Sequence, residues 1–131
     1  MKKLNIILIL IFTIVASPFV LATTYVNSCQ TIYSSGYYQL SQNLVSPDGN
    51  NCINITSDNV ALDLNGFSIS NSTNTESSGI YIDGKNNITI ENGILINNFY
   101  GLSINLTKNS LITNLNVNNN IGYGLSIIGS K

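Results

Sequence analysis

Asp63 and Glu91 are the pair in this chain whose types and spacing come nearest to chemistry. Each follows an apolar residue in a short alternating run (Leu62 and Ile90), with Asn114 in the corresponding place further on. If those runs are strands stacked one above the next, two outward carboxylates stand about 5 Å apart. That separation suits the carboxyl pair of a retaining glycosidase. It equally suits part of a calcium site, whose ligands are hard oxygens. The plainer reading, and the one expected here, is two solvated carboxylates whose repulsion water screens. Register matters, because aligning Asn65-Gly66 on Asn92-Gly93 sets Asp63 beside Ile90 and turns the side chains apart.

Little else in the chain is equipped for catalysis. Histidine and arginine are absent, and the only methionine is the first residue. The lysines beyond the N-terminal segment are Lys85, Lys108 and Lys131, and the acids are scattered, so no catalytic residue and no cofactor is assigned. Tyr81, Tyr100 and Tyr123 are candidates for stacking against sugar rings, the alternative being that Tyr100 and Tyr123 stack on each other for stability. Asn54, Asn71, Asn87 and Asn105 each open an N-glycosylation acceptor triplet. In a chain this rich in Asn, Ser and Thr, roughly four such triplets arise by chance.

The elements that hold these residues begin after a targeting segment. Lys2 and Lys3 precede an almost wholly apolar run, Leu4 to Val15, and Val20-Leu21-Ala22 offers a peptidase site. Residues 1–22 therefore read as a signal peptide, with an uncleaved anchor as the alternative. Cleavage leaves 109 of 131 residues, with three lysines against six acids, a net charge of −3. That balance excludes a basic groove for nucleic acid or a basic face for anionic lipid. Membrane contact would come only through the N-terminal segment. Cys29 and Cys52, an even pair in an exported chain, predict a disulfide, with two free thiols as the alternative.

The pentapeptide Tyr-Gly-Leu-Ser-Ile occurs at Tyr100–Ile104 and again at Tyr123–Ile127, and Gly79-Ile80-Tyr81-Ile82 is a looser copy. A period of 22–27 residues means one supersecondary unit stacked on itself. Each unit holds three short runs of alternating apolar and polar residues, the pattern of strands with one face buried. Ile53/Ile55, Ile80/Ile82, Leu102/Ile104 and Leu125/Ile127 are expected to form one internal ladder. Asn59, Asn86, Asn87, Asn109 and Asn118 to Asn120 are expected at the corners, where Asn accepts a left-handed backbone and can bond the next coil. The excess Asn71 to Ser78 reads as a plain surface loop.

Two stretches resemble a known family. Gly36-Tyr37-Tyr38-Gln39-Leu40 with Asn43-Leu44 is one. Cys52-Ile53-Asn54-Ile55, followed by Asn59 through Ile69, is the other, and Asn87-Ile88-Thr89-Ile90-Glu91-Asn92-Gly93 repeats part of it. Together they resemble right-handed parallel β-helix repeat proteins of pectin-lyase-like fold, including the β-helix domains of carbohydrate-binding, sugar-hydrolase and periplasmic copper-binding maturation proteins. The resemblance implies fold across nearly all of the mature chain. It implies function weakly, because this fold hosts many activities. Lyases of the family are expected to pair calcium-binding carboxylates with a basic residue, hydrolases to cluster aspartates, and copper carriers to present His, Met or Cys. None of these sets is present.

The expected architecture is all-β, a right-handed parallel β-helix of about three to four short coils. Residues 23–51 form an N-terminal cap segment and residues 52–131 the repeats, incomplete at the C-terminus. The expected function is an exported, extracellular, periplasmic or cell-surface scaffold, non-catalytic, that binds a polysaccharide or a protein. The alternative is a polysaccharide lyase or hydrolase, or an N-terminal fragment of one. The last coil, uncapped at Leu125 and Ile127, is expected to be continued by further chain or to associate end to end.

Overall fold

The computed structural model describes residues 22–46, 49–72 and 76–131. The leader, apart from Ala22, lies outside the described residues, as do positions 47–48 and 73–75 within the chain. Every regular element among the described residues is a strand, and no helix there is long and apolar enough to cross a membrane. The strands pair in parallel and wind into a solenoid of about four turns with three faces.

The third face is the simplest. Here β2 (Gln30–Ile32), β5 (Ile53–Ile55), β8 (Ser78–Asp83), β10 (Tyr100–Asn105) and β12 (Leu125–Ile128) stack in one five-stranded sheet. Ile53, Ile80, Leu102 and Leu125 share one inward column, and Ile32, Ile55, Ile82, Ile104 and Ile127 share another. Strands this short bury little alone. Stacking lets each enclosed Ile or Leu contribute roughly 1.5–3 kcal/mol of apolar burial.

The first face carries β1 (Thr23–Val26), β3 (Gly36–Leu40) and β6 (Val60–Asp63), and the second carries β4 (Leu44–Ser46) and β7 (Ser68–Asn71). β9 (Ile88–Ile96) and β11 (Leu111–Asn118) run through both, bending where one face meets the next. The ladders therefore start one coil before Cys52. β2, β3 and β4 pair in register with β5, β6 and β7, so the 23–51 segment is itself built of coil strands. Gln30, which stands where later coils have Ile53 and Ile80, hides this from periodicity.

Asparagine makes the corners. Asn59, Asn87 and Asn109 have positive φ at the turn into the first face, Asn65, Asn92 and Asn114 between first and second, and Asn97 and Asn119 before the third. The left-handed conformation costs an L-residue roughly 1–2 kcal/mol, and Asn offsets it with side-chain hydrogen bonds. Asn87 Nδ2 donates to Asn59 Oδ1 (2.8 Å) and Asn114 Nδ2 to Asn92 Oδ1 (3.2 Å), each bonding the preceding coil. Asn98, fully buried, donates its backbone N–H to Asn120 Oδ1 at 3.0 Å. Asn118 belongs to β11 instead of a corner, and Asn114 is a corner residue instead of the rung after Glu91, whose partner is Thr113.

Of the two sequence alignments around Asp63, the one that sets it beside Glu91 holds and the one that sets it beside Ile90 does not, because Ile90 pairs with Leu62. Asp63 pairs with Glu91, whereas Ser68 pairs with Ile94, so five steps on one coil match three on the next. The two extra residues are taken up in a turn closed by the Phe67 N–H on the Leu64 carbonyl (2.8 Å). Asn65 and Gly66 both have positive φ there, the combination that an Asn-Gly pair accepts most readily. This turn pushes Leu64 over Gly93, where an added Cβ would lie 2.2 Å from Leu64 Cβ. The rest of the long coil's excess falls between Asn71 and Ser78, of which Thr73 to Thr75 lie outside the described residues. Asn71, Ser77 and Ser78 are buried, so the flanks of that segment belong to the packed coil.

Candidate functional site

Asp63 and Glu91 do stand on adjacent rungs of the first face, past the inward Leu62 and Ile90. Asp63, however, is only 7 % exposed, and its oxygens are fully engaged. Oδ2 accepts from the Tyr37 hydroxyl (2.9 Å) and Gln39 Nε2 (3.0 Å). Oδ1 accepts from the Asn65 backbone N–H (2.7 Å) and Asn92 Nδ2 (3.2 Å). Burial pushes this carboxyl up, but donation from Gln39, Asn65, Tyr37 and Asn92 outweighs it and holds the group below the usual range. The Tyr37 phenol is pushed up in turn, chiefly because it donates to Asp63.

Four donors from three coils thus converge on one buried carboxylate. A glycosidase acid needs a proton held near neutral pH, and this group is biased the other way. A calcium ion would have to displace hydrogen bonds that the fold already uses. Among the described residues no group of three or more His, Cys, Asp and Glu gathers to hold a metal. Asp63 acts as a staple between coils, and Glu91 stands half-buried beside it.

The outward side of the third face differs in character. Thr31, Asn54, Tyr81, Ser103 and Ser126 form one column across five strands. Over its first three coils lies an open groove of about 490 Å³. Tyr33 stands at one side, 80 % exposed, and Tyr81 at the other. Thr31, Asn54 and Thr56 supply hydroxyl and amide groups between them, and Asp83 and Lys85 close one end. Tyr33, Thr56 and Lys85 were not singled out by sequence. Their signal was available, since Tyr33 and Thr56 each lie one residue beyond the inward Ile32 and Ile55.

Tyr100 and Tyr123 occupy a separate place. Their rings stack on one another with centroids 6.1 Å apart and planes 8° apart, and Phe99 meets Tyr100 edge-on at 4.8 Å. Each tyrosine therefore has one ring face covered by the other. The pair sits where the chain enters the third face, and Tyr100 is paired with Ser78, not with Tyr81.

The acceptor asparagines are unequal. Asn71 is buried and donates to Ser77 Oγ, and Asn105 Oδ1 is buried with no partner among the described residues. Asn54 is half-buried and accepts from Asn51 Nδ2 (3.1 Å). Asn87 is exposed, yet its amide already holds Asn59. Cys29 and Cys52 form a disulfide that joins the first coil to the second, which points to a non-reducing environment.

The class defined by these features is a parallel β-solenoid with a disulfide-tied first coil. Comparison with protein-family models, curated proteins and solved structures finds no significant match. The fold stands on its strand register.

Proposed function

We propose that this chain is an exported, non-catalytic β-solenoid scaffold that binds a glycan on the outer side of its third face. The observation that carries the reading is the groove between Tyr33 and Tyr81, floored by Thr31, Asn54 and Thr56. Tyrosine rings pack against the apolar C–H faces of sugars, while hydroxyl and amide groups exchange hydrogen bonds with sugar hydroxyls. Grooves that combine aromatic walls with a few convergent polar groups are the usual form of a small-ligand site. The net charge of −3 after the leader disfavours a polyanionic sugar, so a neutral or amino-sugar chain is the better fit.

Export rests on the Lys2 to Ala22 segment together with the disulfide. A pectin-lyase-like affiliation rests on the sequence resemblance. Absence of catalysis rests on the residue inventory and on the engagement of Asp63 by four donors.

A panel of neutral, amino and acidic oligosaccharides, titrated by calorimetry, tests the proposal. Binding of a neutral or amino sugar is expected, weakened about tenfold or more by Tyr33→Ala or Tyr81→Ala and unchanged by Tyr123→Ala. Equal binding by all three variants, no binding at all, or release of new reducing ends from the sugar would overturn it.

A further inference from the structure

The tyrosine-walled groove on the third face does not end at Thr31 and Asn54. A second depression of about 280 Å³ adjoins it there, and those two residues line both. Gln30, Ser46, Asn50 and Asn51 complete its described lining together with the Cys29–Cys52 bridge. The two depressions cross the face along the strands, from Asp83 and Lys85 past the tyrosines to the disulfide. Aromatic rings wall one side of the seam, and side-chain amides wall the other.

The seam carries an oriented donor. The Ser78 backbone N–H donates to Asn51 Oδ1 at 2.7 Å, which fixes the amide of Asn51. Asn51 Nδ2 donates in turn to Asn54 Oδ1 at 3.1 Å. Asn54 is thereby oriented as well, with Nδ2 left as the group it offers a ligand. A carbonyl oxygen, which only accepts, matches that donor better than a hydroxyl, which must also place a proton. Gln30 is exposed beside the seam and accepts an N–H through Oε1. Cys29, half-buried against the core, adds a soft apolar contact.

We propose that the groove selects an N-acetylated amino sugar, whose ring stands between Tyr33 and Tyr81 and whose acetamido arm crosses the seam. This rests on the glycan reading of the same groove and names the sugar class. Asn54 Nδ2 donates to the acetamido carbonyl, Gln30 accepts from the acetamido N–H, and the methyl lies against Cys29. Thr31 and Asn54 stand two residues before Tyr33 and Thr56, roughly 6–7 Å along the strand direction. That span is close to the reach of an acetamido arm from the centre of its ring. A free amine at the same carbon would bring a donor-only ammonium against Asn54 Nδ2. A hydroxyl there would leave the second depression unfilled.

Three trisaccharides of identical linkage, differing only in a hydroxyl, an amine or an acetamido group at one ring carbon, test this by calorimetry. The acetamido form is expected to bind about tenfold or more tightly than either other form. Asn54→Asp keeps the acceptor for Asn51 Nδ2 and removes the outward donor, so the thermal melt should hold while the preference falls about fivefold or more. Gln30→Leu, at an exposed position, is expected to narrow the preference as well. Tyr33→Ala is expected to weaken the acetamido and hydroxyl forms alike and leave their ratio within about twofold. Equal binding of those two forms, or tighter binding of the amine, would overturn this inference and leave the tyrosine groove standing. A preference that survives both Asn54→Asp and Gln30→Leu would overturn it too. No binding of any form would overturn both readings.

Discussion

The two ends of this solenoid are built from the same repeat and finished differently. At the N-terminal end a shortened first coil, running from β1 straight to β2, is tied down by Cys29–Cys52 and leaves Val26 and Leu44 covered. At the other end β12, the last described strand, holds the same inward positions, and Leu125 and Ile127 are half exposed. The difference shows that a solenoid's stability is a nearest-neighbour property. A residue contributes according to the coils on either side of it, not according to its type.

The sharpest way to break that comparison is to truncate equivalent isoleucines. Ile55→Ala, in the enclosed part of the column, is expected to cost about 2–5 kcal/mol as a cavity forms. Ile127→Ala, on the same column, is expected to cost under about 1 kcal/mol. Urea unfolding of both variants reads the contrast, and equal losses would show that the C-terminal end is as well covered as the middle.

The disulfide comes next. Replacing both Cys29 and Cys52 by Ser is expected to cost about 3 kcal/mol, the loop-closure value for a bridge of this span. Hydrogen exchange should rise first in β1 and β2, and unchanged protection there would mean that packing alone closes this end.

Asp63 lies between the ends and joins three coils, so its loss should weaken the middle. Asp63→Asn is expected to cost about 1.5–3 kcal/mol at neutral pH, the range for hydrogen bonds to a charged group. Because the folded carboxyl titrates below its unfolded value, its contribution is complete above about pH 4 and fades as pH falls through the folded value. The wild type should therefore lose stability on acidification below that point, and Asp63→Asn should flatten this acid limb. Tyr37 works oppositely, its contribution present below about pH 10 and lost as pH rises through its higher folded value.

The smallest effect should be a gain. Leu106 adopts a φ of 47° at a corner position where the neighbouring coils have Gly84 and Gly129. A bulky residue there stores about 1 kcal/mol or more of backbone strain. Leu106→Asn is expected to raise stability by about 1 kcal/mol in a thermal melt, and no change would mean that Leu106 packing offsets the strain.

Much of this was legible beforehand. The inward ladder from Ile53 to Ile127 and the Tyr100–Tyr123 stack follow from spacing, because stacked coils bring residues about one period apart together, and the Cys29–Cys52 bridge follows from an even cysteine pair behind a leader-like segment. The corners at Asn59, Asn87, Asn109 and Asn119 followed from asparagine's tolerance of positive φ. The groove was only half legible. Tyr81 stood out as an aromatic, but its partner Tyr33 lay in a segment whose repeat was masked by Gln30. The saturation of Asp63 was hidden because its donors come from Tyr37, Gln39 and Asn92, scattered over more than fifty residues.

By itself, the sequence determined that this chain stacks: alternation buries one side of each strand, asparagine turns the corners, and a near-constant period superposes the coils. Only the tertiary structure decided what each outward residue does. Asp63 became a staple and Tyr33 a groove wall because neighbouring coils either supply donors or leave space. A side chain's partners across coils depend on where a coil absorbs its extra residues, as at Leu64 to Phe67, and that choice is made by packing, not by local preference.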